Sequence, residues 1–164
     1  MTDALPEKGA PTIYLGEEVL VCPEFDLLDG LSDLCIEGTK TLLLEMPFTH
    51  FSEKILYTVE NLTKKDFDIV MAHIDRYNID DVIELLCLPV LAQVNAEQLV
   101  SRKVRKQLEQ FFVADRIVAF GSDLHGANET TIKKYQKGLS KLGEYNEEQI
   151  DSFTRTLIRG ATPF

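Results

Sequence analysis

Short continuous apolar runs alternate along the chain with longer segments in which apolar residues recur every three or four positions. The runs cover residues 12–15, 41–44, 68–72, 90–94 and 117–120, and their length is typical of buried strands. The longer segments have the spacing of amphipathic helices. Because strands that are apolar on both faces alternate with helices, the pattern predicts an α/β fold, with about five parallel strands covered by helices.

The predicted helices have recognisable starts and ends. Ser52 precedes the first, and Asn78 or Asp80 can cap the second, which Pro89 ends. The last three are expected at about residues 97–112, 129–142 and 146–159. Neither internal repeats nor long linkers divide the 164 residues, so we expect a single domain with its own core.

Charge and composition narrow the classes of partner. Lys and Arg number 17 against 27 Asp and Glu, which gives a net charge of −10; such a surface repels nucleic acid and anionic lipid. The richest apolar stretch, residues 85–94, contains Pro89 and is too short to span a bilayer. Three cysteines without a Cys-x-x-Cys pair fit a reducing compartment. We therefore expect a cytoplasmic protein that neither binds nucleic acid nor inserts into a membrane.

Acidic or histidine side chains follow the predicted strands near the point where each strand ends. They are Glu18, Glu45, His73, Asp123 and His125. Because the carboxyl ends of parallel strands meet at one edge of a sheet, we expect these side chains to share a site. Carboxylate oxygen and imidazole nitrogen suit Mn²⁺, Zn²⁺ or Fe²⁺, and such ions can activate water and clamp a phosphate. The pattern indicates a metal site able to hydrolyse a phosphoester.

Each candidate ligand also has a structural interpretation. Glu18 stands beside Glu17, and either can be a solvated surface residue. His73 can be a core histidine bonded to a carbonyl, and Asp123 can cap the turn that follows it. Glu45 is the hardest to explain in this way, since it lies between Leu-Leu-Leu and Met-Pro-Phe, where an unpaired carboxylate is costly to bury.

Two further polar residues lie near these candidates. Arg76, three residues after His73, can form bidentate hydrogen bonds to two phosphate oxygens. Surface pairing of Arg76 with Asp75 or Asp80 is an alternative. His50 has no acidic or histidine partner near it in the sequence, and we expect it to be structural.

The sequence lacks the motifs of other classes of hydrolytic enzyme. None of the cysteines belongs to the Cys-x5-Arg pattern of a thiol-dependent tyrosine phosphatase, and the chain contains neither Gly-x-Ser-x-Gly, nor a Gly-rich phosphate loop, nor His-Glu-x-x-His. The residues therefore favour metal chemistry.

Five motifs, in order and over almost the whole chain, resemble those of the capsule-type bacterial metal-dependent tyrosine phosphatases of the polymerase-and-histidinol-phosphatase superfamily. The motifs are Gly16-Glu17-Glu18-Val19 with Cys22-Pro23-Glu24, Leu43-Leu44-Glu45-Met46-Pro47-Phe48, Ala72-His73-Ile74-Asp75-Arg76-Tyr77, Gln93-Val94-Asn95 and Gly121-Ser122-Asp123-Leu124-His125. The third motif is the most specific, because it is very close to the family's Ala-His-Ile-Glu-Arg-Tyr.

The resemblance implies a distorted parallel (β/α)7 barrel that holds up to three metal ions, commonly Mn²⁺, with Fe or Zn as alternatives. It implies hydrolysis of phosphotyrosine on tyrosine kinases that control exopolysaccharide or capsule assembly. It also implies that Glu18, Glu45, His73, Asp123 and His125 are metal ligands and that Arg76 binds the phosphate.

The chain departs from the family pattern at two places. The family's first His-x-His strand and further ligands precede the Gly-x-Glu strand, whereas Gly16 here is only fifteen residues from Met1. Residues 1–164 are thus expected to form a partial barrel without the N-terminal βα units, and its exposed sheet edge predicts self-association. The arginine that tends to follow the last motif is also missing. A non-catalytic binding module and a phosphoesterase for small sugar or histidinol phosphates remain as alternatives.

Overall fold

The computed structural model describes residues 12–123, 129–142 and 147–160. Within these ranges, five parallel strands form one sheet in the order in which they occur along the chain. The strands are β1 (Glu18–Leu20), β2 (Thr41–Glu45), β3 (Asp68–Met71), β4 (Val90–Asn95) and β5 (Ile117–Gly121). The α/β fold predicted from the alternating pattern is therefore confirmed, with an open sheet whose neighbouring strands are connected by crossovers.

Five α-helices accompany the sheet in the described part of the chain. They are α1 (Glu53–Lys64), α2 (Ile79–Leu85), α3 (Arg102–Val113), α4 (Glu129–Leu139) and α5 (Glu147–Leu157). Short 3-10 helices at Phe25–Leu27, Leu31–Leu34, Ile74–Arg76 and Ala96–Val100 complete the connections. Among the described residues, no helix is long and apolar enough to cross a membrane.

The two faces of the sheet pack against different elements. Alternate strand residues such as Leu42, Leu44, Ile69 and Met71 belong to the larger apolar core, together with buried side chains of α1, α2 and α3. The residues between them point to the opposite face, where Val70, Leu91 and Val118 pack with Leu157 of α5 and with the partly buried Leu43 and Phe153. This second face, which we call the inner face, carries the smaller cluster.

Strand register places two of the candidate ligands on the inner face. Glu45 lies two residues after Leu43 and therefore points to the same side. Glu18 pairs in register with Leu43, and Leu20 pairs with Glu45. Both carboxylates thus lie on the face that carries the smaller apolar cluster.

The position predicted for the first strand is wrong. Residues 12–15 form no strand, and β1 begins at Glu18, three residues after the end of the predicted strand. The backbone of residues 15–17 bonds to the loop after β1 instead. The N–H of Glu37 donates a hydrogen bond to the carbonyl oxygen of Leu15, and the N–H of Glu17 donates one to the carbonyl oxygen of Leu34. Glu18 consequently begins a strand rather than following the end of one.

The helix predicted at about residues 97–112 is divided in two. Ala96–Val100 is a 3-10 helix, and α3 begins after Ser101, whose extended backbone interrupts the helical path. The Ser101 hydroxyl accepts a hydrogen bond from the N–H of Val104 at 3.5 Å, as an N-cap does. Asn78 caps α2 in the same way, accepting from the N–H of Asp80 at 2.8 Å.

Candidate metal site

The site is built around a sharp turn that follows β3. His73 has a φ of 35°, in the left-handed region, where a non-glycine residue is uncommon. Its backbone N–H donates a hydrogen bond to the side-chain oxygen of Gln93 on β4. The chain then enters the 3-10 helix Ile74–Arg76. Strained backbone of this kind persists where the surrounding structure holds it, and it is frequent at functional sites.

The turn brings the imidazole of His73 against two carboxylates. Its Nε2 lies 3.0 Å from Oε1 of Glu18 and 3.6 Å from Oε1 of Glu45. One ligand atom from each residue lies within 4.8 Å of the others; we call these three residues the Glu18–Glu45–His73 cluster. The His73 side chain is 1% exposed, against 27% for Glu45 and 39% for Glu18. The cluster is therefore anchored in the protein interior and opens to solvent at Glu18.

The donor atoms of the cluster fit a divalent metal ion. Two carboxylates and one imidazole are a ligand set suited to Mn²⁺, Fe²⁺ or Zn²⁺, and three protein ligands leave coordination positions for water or substrate. Nε2 is the ring nitrogen of His73 that faces both carboxylates. The structural alternative of a core histidine bonded to a carbonyl does not describe this ring, because Nε2 faces carboxylate oxygens and Nδ1 has no hydrogen-bond partner among the described residues.

Arg76 and Asp123 form a second pair. The guanidinium of Arg76 makes an ion pair with Oδ2 of Asp123, whose side chain is only 10% exposed and whose φ of 45° is again left-handed. The alternative in which Arg76 pairs at the surface with Asp75 or Asp80 is not the arrangement observed, since the described partner of Arg76 is one of the predicted ligands. The metal-binding role of Asp123 stays a prediction, and His125 lies outside the described residues.

A network behind the cluster was not recognised in the sequence. Gln93 holds the His73 turn, and its amide donates to Oδ1 of Asn95 at 3.5 Å. The N–H of Asn95 in turn donates to Oδ1 of Asp75 at 2.8 Å, and burial raises the pKa of the Asp75 carboxyl. The sequence signals for this network were the Gln93-Val94-Asn95 motif and the Asp75 position of the third motif, and neither had an assigned role.

Tyr77 supports the strand that carries Glu45. Its hydroxyl oxygen accepts a hydrogen bond from the backbone N–H of Met46 at 3.0 Å. Burial raises the pKa of the Tyr77 hydroxyl, so the phenol stays neutral. The hydrogen bond fixes the backbone directly after Glu45 to the segment that follows His73.

A small cavity adjoins Arg76. It has a volume of about 200 Å³ and is lined by Phe48, Thr49, His50, Arg76, Tyr77, Asn78 and Asp81. His50 has an acidic partner far along the chain, because its Nδ1 pairs with the carboxylate of Asp81, a buried residue 31 positions away. Phe48 is 67% exposed, and its ring lies parallel to that of His73, with 6.4 Å between the ring centroids.

The fold is a parallel α/β fold, and it brings together a candidate carboxylate–imidazole metal site, with Arg76 three residues after His73. The chain belongs to the family described as capsular polysaccharide synthesis, CpsB/CapC, whose family model matches residues 3–155. The family resemblance found in the motifs is thereby confirmed.

The chain is also similar to a solved structure from crystallographic work on YwqE from Bacillus subtilis and CpsB from Streptococcus pneumoniae, described there as unique metal-dependent tyrosine phosphatases. The TM-score is 0.72 at 20% sequence identity, which shows a shared fold. The match covers 91% of this chain and 65% of that chain, so this chain spans about two thirds of that structure. Among curated proteins, the chain has no match.

Proposed function

We propose that this protein is a metal-dependent phosphatase that hydrolyses phosphotyrosine in proteins. The observation that carries the proposal is the Glu18–Glu45–His73 cluster, in which three potential ligand atoms lie within 4.8 Å of one another. Arg76 follows three residues after His73 and lines a cavity next to that turn. Metal ions can activate water and clamp phosphate oxygens, and an arginine can bind a phosphate through two parallel hydrogen bonds, so these residues together can support phosphate hydrolysis.

The residues of the chain have separate tasks in this proposal. Glu18, Glu45 and His73 hold a divalent ion, which would lower the pKa of a water molecule and polarise the phosphate. Arg76, whose side chain is 37% exposed, orients the phosphate through its planar guanidinium. Because Arg76 is paired with Asp123, phosphate binding must replace or share that ion pair.

The physiological setting is proposed from the comparisons. The family's description is capsular polysaccharide synthesis, and the similar solved structure comes from proteins described as metal-dependent tyrosine phosphatases. From the motif resemblance, and not from these comparisons, we infer Mn²⁺ as the working ion, with Fe or Zn as alternatives, and Asp123 and His125 as further ligands. The substrate is a cytoplasmic tyrosine kinase of exopolysaccharide or capsule synthesis.

A non-catalytic binding module is the second candidate. The Arg76–Asp123 ion pair favours it, because the pair engages both the predicted phosphate-binding residue and a predicted ligand. In that case the chain would retain the fold and a surface that binds the kinase, without turning over a phosphoester.

The test is hydrolysis of a phosphotyrosine peptide by the purified chain with Mn²⁺. Glu18→Gln is compared with Glu17→Gln, which changes the neighbouring exposed carboxylate outside the cluster. The proposal predicts that a chelator and Glu18→Gln each lower the rate by about a hundredfold or more, since a catalytic metal supplies several kcal/mol, and that Glu17→Gln retains it.

Two outcomes contradict the proposal in different ways. Folded, Mn²⁺-loaded protein without any hydrolysis would overturn the phosphatase and leave the binding module as the candidate function. Faster hydrolysis of sugar phosphates or histidinol phosphate than of the peptide would overturn the substrate class while leaving the metal site intact.

A further inference from the structure

Phe48 occupies an unusual position for a large apolar side chain. It is 67% exposed, yet it lies three residues after Glu45 and its ring is parallel to that of His73, at 5° and a centroid distance of 6.4 Å. The ring of Tyr77 lies 5.8 Å away on a tilted plane. A single exposed apolar residue is common, but this one lies near the rings of His73 and Tyr77 and presents an aromatic surface beside the site.

The cavity that Phe48 lines combines an aromatic wall with a cation. Phe48 and Tyr77 provide rings, Arg76 provides a guanidinium, and His50 is 79% exposed and paired with the buried Asp81. The volume is about 200 Å³, and a cavity of about 150 Å³ is enough to hold benzene. The space therefore suits one phenyl ring that carries an anionic group.

We propose that this cavity, which we call the aryl pocket, binds the phenyl ring of the phosphorylated tyrosine, and that Phe48 is its specificity-determining contact. The inference rests on the proposed function and names how the substrate side chain is selected. Arg76 binds the phosphate, and the ring packs on Phe48 in an offset or edge-to-face arrangement. Alkyl phosphates such as phosphoserine offer no ring to this contact and are disfavoured.

Binding of phosphonates tests the pocket without requiring turnover. Calorimetric titration of the Mn²⁺-loaded chain with phenylphosphonate and with methylphosphonate separates the ring contact from the phosphate contact, because the two ligands share the anionic group. Aromatic pairing predicts a preference of about two- to tenfold for phenylphosphonate.

The variants isolate Phe48. Phe48→Ala is expected to abolish the preference while methylphosphonate binds as in the wild type, and Phe48→Tyr is expected to retain it. Tyr57→Ala is the matched control, since Tyr57 is 62% exposed on α1 and lines other cavities. Circular dichroism of each variant checks that the fold is retained.

The outcomes distinguish this inference from the proposed function. No preference in the wild type, or a preference that survives in Phe48→Ala or is lost in Tyr57→Ala, would overturn the aryl pocket. If hydrolysis is absent but the preference follows Phe48 as described, the aryl pocket stands and the hydrolytic function falls. Metal-dependent hydrolysis without any aryl preference would overturn the aryl pocket alone.

Discussion

Gly121 is predicted to control the geometry of the metal site through Gln93. It ends β5 and lies in register with Asn95 of β4. A Cβ at this position would be 1.4 Å from Nε2 and 2.7 Å from Cδ of the Gln93 side chain. In Gly121→Ala, the Gln93 amide must therefore move, and its bond to the backbone N–H of His73 breaks.

The size of the effect follows from that bond. His73 is buried, and a buried donor that loses its acceptor costs about 1–3 kcal/mol. Replacing glycine by alanine restricts the unfolded chain, which offsets about 0.4–1 kcal/mol of this loss. Subtracting this offset leaves a loss of about 0–2.6 kcal/mol, and we expect Gly121→Ala to lower the free energy of unfolding by about 1.3 kcal/mol, the middle of that range.

Urea unfolding of four proteins measures whether the effect passes through Gln93. The wild type, Gly121→Ala, Gln93→Ala and the double variant form a cycle, measured with a chelator so that metal binding does not contribute. Because both single changes remove the same hydrogen bond, the double variant should be no less stable than Gln93→Ala. Full additivity of the two losses would show that the effect of Gly121→Ala does not pass through Gln93, and a Gly121→Ala variant more stable than the wild type would contradict the predicted loss of the hydrogen bond.

Three further predictions concern packing around the sheet. Gly138→Ala should lower the unfolding free energy by about 1–3 kcal/mol, because its Cβ would lie 1.7 Å from the carbonyl oxygen of Ala96; a urea midpoint equal to that of the wild type would contradict this close approach. Tyr77→Phe should cost about 1–2 kcal/mol, since the N–H of Met46 loses its acceptor, and unchanged thermal unfolding would argue against that bond. Cys35 is buried, and burial raises the pKa of its thiol. Brief labelling of the thiols at about pH 8, followed by mass spectrometry, should therefore find the two exposed cysteines modified and Cys35 unmodified until the chain unfolds. Rapid modification of all three cysteines would contradict the burial of Cys35.

The sequence pattern was sufficient to locate the buried strands. β2, β3, β4 and β5 are continuous apolar runs in the sequence, and each was predicted within two residues of its observed ends. β1 could not be found in this way, because the three residues Glu18–Leu20 are exposed or half-buried and carry no apolar run. Residues 12–15 show such a run, but their backbone bonds to other loop residues.

Part of the candidate site was also accessible from the sequence. Glu45 and His73 directly end or follow apolar strands, so their polar character stood out. The contacts of Gln93 with His73, Arg76 with Asp123 and His50 with Asp81 join residues 20 to 47 positions apart. Such contacts depend on strand register and on left-handed turns at non-glycine residues, which hydrophobic periodicity does not encode.

The binding of Mn²⁺ to the purified chain, followed by electron paramagnetic resonance, tests the metal site most directly. Glu45→Gln retains the size of the side chain but replaces a charged ligand, whereas Glu17→Gln changes an exposed neighbour of the cluster. The account predicts that the wild type and Glu17→Gln bind Mn²⁺ equally and that Glu45→Gln binds it at least about tenfold more weakly. Equal binding by Glu45→Gln and the wild type would contradict the assignment of the Glu18–Glu45–His73 cluster as a metal site.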